Sequence, residues 1–492
     1  MRMHLRTLWA ALGTGPWPWS DDSTEPVTGV AIDSRRVVDN DLFVAMKGES
    51  TDGHRFVGEA FRHGARAALV EQATEEVQRQ ADEVGAQLID VTRPLDSGAP
   101  PQARLCFVVA NTLRALQTLA AKWRNEHSAC RVVGITGSVG KTTTTRLVAA
   151  VLSRCYETRA SPENFNNEIG LPLSVLRLET GIEWLAQEMG MYAVGEIKLL
   201  ASIARPEVGV VTNVGPTHLE RLGTIERIAQ AKSELVSALP LYGLAVLNGD
   251  DPRVKAMSGC TSAGRTLYYG LDHNNDLWAD EPQVLGLEGI ATRIHLGGDS
   301  ADIRLPLLGR HNVYAALAAT AVGRYAGMPW SEIVAGLADR RAQARMTACP
   351  GIRGATVLDD SYNASPASMI AALELLSEMQ GRRVAVLGGM LELGSYSDEG
   401  HRLVGRRAAE CASVLITVGE LGRLIAQEAL RCGMPAQSVF SVADSQEAAE
   451  LLEQVVTQGD YVLVKASHGI GLGEVVRRIT SPAGPGQDKP EE

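Results

Sequence analysis

Apolar and polar positions alternate along the chain with two different periods, one of strands and one of helices, and the elements they predict fall into three blocks. The first runs to about residue 105. Its short apolar runs (VTGVAIDS, DLFVAM, AALVE) predict strands, and residues 56–63 predict a helix. The polar segment TRPLDSGAPPQAR then reads as a linker. The second block, 106–341, opens on helical spacing over Thr112–Glu126 and continues as strand and helix in turn. RVVGIT is followed by a helix at Lys141–Leu152, WLAQEMG by a helix over 194–203, and EVGVVTNV by a helix over 225–239; GLAVLNGDD is a further strand. Residues 265–308 look richer in strand. In the third block, 342–492, the runs ATVLDDSY, RRVAVLGG, SVLITVG and YVLVKA predict four strands with helices between them.

Strand–helix alternation of this kind argues for parallel, doubly wound sheets. The expected fold is therefore α/β in three domains. An α/β domain over 1–105 precedes a central domain over 106–341, a mostly parallel sheet flanked by helices, and a Rossmann-like domain over 342–492 follows. Ligands of such sheets sit beyond the carboxyl ends of the strands.

Composition narrows the class. The chain has 492 residues, 45% hydrophobic and 21% charged, the proportions of a soluble globular protein. A net charge of −11 argues against a duplex-binding partner. The seven cysteines are scattered, with no CxxC pair, which speaks against a zinc site or a disulfide framework and for a reducing cytoplasm. No apolar run approaches the roughly 18 residues that a membrane span needs. The N-terminal LWAAL run is too short for a signal peptide and reads as part of an amphipathic helix, while the tail SPAGPGQDKPEE is expected to fray. No nucleic acid and no membrane insertion are expected, and a monomer is.

The segment GITGSVGKTTTT lies between a predicted strand and a predicted helix. Gly137 and Gly140 let successive backbone N–H groups converge on phosphate oxygens, and the helix N-terminus adds its dipole. Lys141 would reach the β- and γ-phosphates and the Thr142 hydroxyl would ligate Mg²⁺. The strict GxxxxGK[ST] pattern is not met, because position 135 is Ile135; the spacing is GxTGxxGKT. The loop alone indicates a nucleoside triphosphate and leaves the reaction open.

Three further residues fall near the same sheet edge: Glu188 at the end of WLAQE, His218 in NVGPTHLE and Lys232 in AQAKSEL. Thr142 and Glu188 could hold one Mg²⁺ against the phosphates, with His218 beside a second. Singly, each has a plainer reading: a surface carboxylate, a hydrogen-bonded loop histidine, a solvated helix lysine.

Taken together, the motifs GITGSVGKTT, SPENFNNEIGLPLSVLRL, QEMGMYAVGEI, NVGPTHLERLGTIERIAQAKSEL, LLGRHNVYAALAA, LDDSYNASPASM and VLGGMLELGSYSDEGH resemble those of the Mur ligase family. The resemblance covers the second and third blocks in order, and AIDSRRVVDNDLFVAMKGESTDGHRF resembles the family's UDP-binding domain. It implies that Gly137, Ser138, Gly140, Lys141, Thr142 and Thr143 serve ATP and Mg²⁺, that Glu188 and His218 serve two Mg²⁺ ions, and that Lys232 is carbamylated and helps hold metal. It also implies that Asn312 contacts the adenine end, that Arg345 and Asp360 contact phosphate and ribose, and that Asn164, Asn166 and Asn167 approach the substrate. Ser34, Arg35, Lys47, Gly48, Asp52 and His54 would surround the uridine diphosphate. The plainer readings are a helix cap for Asn312, a turn for Asp360, a surface arginine for Arg345 and inter-strand turns for the first-block residues. VLVKASHGIG departs from the family's usual lysine–glycine–serine–arginine run at Ala466 and His468 and is given no role.

The activity implied is that of the dipeptide-adding branch. ATP phosphorylates the terminal carboxylate of UDP-MurNAc-tripeptide, and the amine of D-Ala-D-Ala displaces phosphate from the acyl phosphate. The alternatives are the ligase that adds the third amino acid, folylpolyglutamate synthase, and a P-loop ATPase without ligase activity. Against the first, the third block lacks a DNPR signature, and the DDPR at Asp250–Arg253 lies in the second. Against the second stands the UDP-binding first block. Against the third stand Lys141, Glu188, His218 and Lys232 together.

Overall fold

The structure, a computed structural model, describes residues 1–13, 17, 25–48, 51–93, 104–342 and 346–480. Most of the expected linker, the C-terminal tail and Arg345 lie outside the described residues. By its internal contacts the chain forms two compact units. One comprises Met1–Gly134, Glu157–Met189 and Lys198–Pro206, the other Ile135–Tyr156, Gly190–Ile197 and Glu207–Glu492. The strand Arg131–Thr136 carries the chain from the first into the second.

In the first unit, five strands form a parallel sheet in the order Gly29–Ala31, Asp41–Val44, Ala67–Val70, Arg104–Val108, Ala86–Asp90. Phe43, Val57, Phe61, Val70, Val77, Ala81 and Cys106 are buried together between sheet and helices. The helix Glu75–Glu83 escapes a reading by hydrophobicity because its inward face carries a polar residue: Gln80 is buried and its Oε1 accepts from the Gly58 N–H at 2.8 Å. Leu5–Leu12 and Gly170–Leu176 both pack on the helix Thr112–Glu126, which Asn111 caps by accepting from the Arg114 N–H at 2.8 Å. A second parallel pair, Thr158–Ala160 with Trp184–Glu188, ends at Glu188.

In the second unit, Val208–Val211, Leu244–Asn248, Arg265–Gly270 and Leu277–Ala279 run parallel in that order. The 265–308 region, expected to be β-rich, then turns antiparallel. Ile290–Leu296 pairs with Leu277–Ala279, Gln283–Val284 and Asp299–Leu305. The helix Lys141–Leu152 is clasped by Asn312–Tyr325 and Trp330–Leu337. The contact is close at Gly336, where a Cβ would lie 2.6 Å from the Val151 Cα.

A six-stranded sheet completes this unit, in the order Thr347–Pro350, Thr356–Asp359, Tyr461–Lys465, Arg383–Gly388, Val414–Val418, Val439–Val442. Only the first pair is antiparallel. Helices cover both faces. Met369, Val404, Ala408 and Ile425 lie in one buried cluster, and Ala448, Leu452, Val475 and Ile479 in the other. The four central strands are those expected from sequence. The two edge strands, four residues each and exposed or part-exposed throughout, carry too short an apolar pattern to predict.

One buried histidine pins the loop after Arg383–Gly388. His401 is 0% exposed; its Nε2 accepts from the Met390 N–H at 2.9 Å and its Nδ1 donates to the Ser397 carbonyl at 2.6 Å. Both ring nitrogens are thus used as a neutral imidazole uses them, and burial holds the pKa below the ordinary histidine value. The unfolded chain binds a proton there near pH 6.5, and the folded one resists it. The stability contributed by His401 is therefore present above about pH 6.5 and lost as pH falls below it. In His401→Gln, urea unfolding between about pH 7 and pH 5 is expected to depend less on pH than in the wild type; equal slopes contradict this.

Candidate active site

The glycine-rich turn at 137–140 is held open by the segment after Val208–Val211. Gly137 has φ +152°, and a Cβ there would fall 1.8 Å from the Thr212 Oγ1, so only glycine fits. Gly140, at φ +86°, starts the helix Lys141–Leu152. The side chain of Asn213 clamps Val139 twice, accepting from its N–H and donating to its carbonyl, both at 2.9 Å. The Thr212 hydroxyl donates to the same carbonyl at 2.7 Å, and the Ser138 Oγ accepts from the Gly215 N–H at 2.9 Å. Behind these, Asp251 accepts from the Val214 N–H at 2.8 Å and Asn248 donates to the Thr212 carbonyl at 2.8 Å. Such bracing holds the backbone amides where a phosphate can meet them. The Lys141 Nζ lies 2.9 Å from the Gly137 carbonyl, and Thr142 and Thr143 are buried at the helix start.

Lys232 is 3% exposed on the helix Ile225–Ser237. Burial first, and then the ammonium of Lys141, hold its pKa well below that of an ordinary lysine. His218, at φ +57°, has its pKa lowered by burial above all; Glu392 opposes the shift, while Lys141 and Lys232 add to it. The Nδ1 of His218 lies 2.6 Å from the Glu392 Oε2, and the Tyr192 ring stands edge-on to the imidazole at 5.0 Å. Lys141, His218 and Lys232 therefore share one electrostatic neighbourhood.

At the carboxyl ends of the six-stranded sheet, the Asp360 Oδ2 pairs with the Lys465 Nζ at 2.6 Å. That lysine, 2% exposed, also donates to the Asn363 carbonyl at 2.8 Å. The turn and cap duties that could have claimed Asp360 fall to others: Asp359 accepts from the Ser361 N–H, and Ser365 caps the helix Pro366–Ser377. Asn312 is the first residue of its helix and does not cap it; its Nδ2 donates to the Leu308 carbonyl at 2.7 Å.

Within the first unit, Glu188 is 5% exposed and its Oε1 accepts from the Asn166 Nδ2 at 2.8 Å. Asn167 accepts from the N–H groups of Ile169 and Gly170, fixing the start of Gly170–Leu176, and Asn164 adopts φ +64°. His54 accepts from the Glu71 N–H at 2.9 Å, which leaves its Nδ1 to donate to Asp52 at 2.6 Å. Lys47 bridges to Asp52 along the backbone, and the Gly48 N–H bonds to the Thr51 carbonyl. The Ser34 carbonyl accepts from the His63 Nδ1 at 2.8 Å. The exposed Arg35 pairs with Asp33, whose carboxyl that guanidinium draws down to about 2.

Sequence reasoning assigned no part to Asn213, Asp251, Glu392 or Lys465. All four lie inside or next to quoted motifs, but a buried clamp or counter-ion has no spacing of its own to betray it.

Three family profiles match the chain: the Mur ligase family catalytic domain over 26–97, the Mur ligase middle domain over 135–323, and the Mur ligase glutamate ligase domain over 344–468. The UDP-N-acetylmuramoyl-tripeptide–D-alanyl-D-alanine ligase of Bacillus subtilis is 34% identical over 464 residues, covering 92% of this chain and 93% of that one. The chain belongs to the Mur ligase family. Among solved structures, MurF from Acinetobacter baumannii superposes with a TM-score of 0.81 at 28% identity, over 97% of this chain and 98% of that one. MurF ligase from Thermotoga maritima in complex with ADP superposes with a TM-score of 0.74 at 27% identity, over 92% and 97%. This Mur ligase thus has the three-domain α/β fold of those structures, with parallel-dominated sheets flanked by helices, and is an ATP-binding enzyme.

The braced loop generates one expectation. Asn213→Ala removes both bonds to Val139 and should weaken ADP binding about tenfold, or about 1.4 kcal/mol. Titration calorimetry measures this, and an unchanged affinity contradicts the role of Asn213.

Proposed function

We propose that this Mur ligase joins D-alanyl-D-alanine to UDP-MurNAc-tripeptide with conversion of ATP to ADP and phosphate, a step of peptidoglycan precursor synthesis. The match to relatives of that activity over more than nine-tenths of both chains carries the reading. The chemistry of the site agrees with it. A carboxylate is a poor acyl donor because its leaving oxygen is a poor leaving group; phosphorylation makes that oxygen part of phosphate. In the proposed sequence the terminal carboxylate of the tripeptide attacks the γ-phosphorus of ATP. The D-Ala-D-Ala amine then adds to the acyl carbon, and phosphate leaves. No protein nucleophile is required. The task of the protein is to hold the groups in line and to balance developing negative charge.

Lys141 and the amides of 137–142 would bind the β- and γ-phosphates. Asp360, held by Lys465, and Asn312 would contact ribose and adenine, with Arg345. The carboxylate-bearing substrate would lie toward Asn164, Asn166 and Asn167, with its uridine diphosphate among Ser34, Arg35, Lys47, Gly48, Asp52 and His54. Two Mg²⁺ ions, when bound, would neutralise phosphate charge. The available donors fit them: the Thr142 hydroxyl, the Glu188 carboxylate and the His218 imidazole are hard or borderline ligands. No group of three His, Cys, Asp or Glu forms a cage among the described residues. Mg²⁺ suits donors of these types, since it commonly takes its remaining ligands from phosphates and water.

Lys232 fits carbamylation. An amine reacts with CO₂ only when unprotonated, and burial beside Lys141 favours that form. The resulting carbamate would place a negative charge next to Lys141 and supply oxygen ligands. The protein is further read as a cytoplasmic monomer. Its seven cysteines are free, as in a reducing compartment, and no helix among the described residues is long and apolar enough to cross a membrane.

Phosphate release should require both UDP-MurNAc-tripeptide and D-Ala-D-Ala, with the pentapeptide product seen by mass spectrometry. Release that ignores either substrate contradicts the ligase reading. With ¹³C-bicarbonate, a carbamate carbon signal should be present in the wild type and absent in Lys232→Met, whose kcat should fall by about a hundredfold or more. A wild type without the signal, or an active Lys232→Met, removes the carbamate.

A further inference from the structure

His218 does not stand alone. Its Nδ1 meets the Glu392 Oε2 at 2.6 Å, and the two residues are 174 positions apart. A half-exposed ion pair is a weak contact in itself. This one is built from both sides. His218 and Glu392 are both non-glycine residues in the left-handed region, at φ +57° and +62°, a conformation that persists only where the surroundings impose it. The backbone leading to Glu392 is fixed by His401, which accepts from the Met390 N–H, and by Ser467, whose Oγ accepts from the Leu391 N–H at 2.9 Å. Beyond it, Gly394 lies so close to Glu220 that a Cβ would come 2.8 Å from the Glu220 Cα. The His218 ring also meets the edge-on ring of Tyr192, which Arg221 covers at 4.7 Å.

A carboxylate can only accept, so this contact selects the imidazole tautomer with the proton on Nδ1. The same logic is seen at His54 and His401, where a ring nitrogen that accepts from a backbone N–H leaves the other to donate. At His218 the nitrogen left with a lone pair is Nε2.

We propose that Glu392 is a positioning residue for His218, fixing its ring and its tautomer so that Nε2 is presented as a ligand for a divalent cation. The proposal rests on the function inferred above and adds to it a residue from the segment that follows the strand Arg383–Gly388. It makes the competence of His218 depend on the seating of that segment. A metal-bound imidazole whose other nitrogen is held by a carboxylate is a stronger and better aimed ligand, and losing such a partner typically weakens metal binding by about 10- to 100-fold.

The test uses the full chain with ¹⁵N-labelled histidine rings. The His218 signals in a long-range ¹H–¹⁵N spectrum are identified by their loss in His218→Gln. In the wild type Nδ1 should carry the proton and Nε2 should not. In Glu392→Ala the Nε2–H form should gain population. In parallel, Mn²⁺ is titrated in the presence of ADP and followed by electron paramagnetic resonance. Its Kd should rise at least tenfold in Glu392→Ala, with ADP affinity in the absence of metal unchanged. Glu392→Gln, whose amide oxygen still accepts from Nδ1–H, should recover most of both readouts. Should Glu392→Ala fail to fold, Glu392→Met, similar in length but no acceptor for that proton, takes its place. A wild-type ring protonated at Nε2, or a variant whose His218 signals or Mn²⁺ affinity do not move, overturns the proposal. Neither readout needs turnover. If the wild type made no amide from the two proposed substrates, the functional reading would fall while the tautomer and metal measurements still decided the role of Glu392.

Discussion

The candidate site rests on one constraint: two amines and an imidazole are held close together where water is scarce. Lys232 is buried, Lys141 acts on it electrostatically, and both depress the proton affinity of His218. Protonated together, two amines and an imidazole so arranged would repel one another, and desolvation adds to that cost, which is why Lys232 and His218 bind their protons less tightly than usual. The arrangement becomes favourable once anions enter. A triphosphate at the 137–142 amides, and a carbamate in place of one amine, would supply them. The same charges would then serve the proposed reaction, because the transferring phosphoryl group and the departing phosphate both need neutralising.

Much of the fold exists to keep that neighbourhood rigid. The glycine-rich loop is clamped by Thr212, Asn213 and Gly215, and these by Asn248 and Asp251. All of these residues lie at or just beyond the carboxyl ends of neighbouring parallel strands, where backbone groups have no ladder partner and side chains must satisfy them. The six-stranded sheet repeats the principle. Asp360, Lys465 and the loop pinned by His401 stand at its carboxyl edge, and Glu392 extends from that loop to His218.

The sequence made much of this legible, for physical reasons that can be named. Strands such as Val208–Val211 and Tyr461–Lys465 are nearly continuous apolar runs because helices cover both their faces, and Lys141–Leu152 follows its loop without a break. Thr158–Ala160, Thr347–Pro350 and Val439–Val442 are too short to show a period, and Glu75–Glu83 turns Gln80 inward. At the candidate site, the glycine-rich loop was readable because its glycines serve a backbone geometry that few other residues allow. Glu392 and Lys465 were not. Their roles come from partners 174 and 105 positions away, and no local pattern records such a pairing.

The proposed reaction turns on transfer of phosphate to the acceptor carboxylate before the amide forms. The most direct test is ligation of UDP-MurNAc-tripeptide labelled with ¹⁸O in both oxygens of its terminal carboxylate, with the released phosphate examined by mass spectrometry. One labelled oxygen should be found in inorganic phosphate and the other in the new amide. Unlabelled phosphate, or label carried into AMP, would contradict an acyl phosphate intermediate.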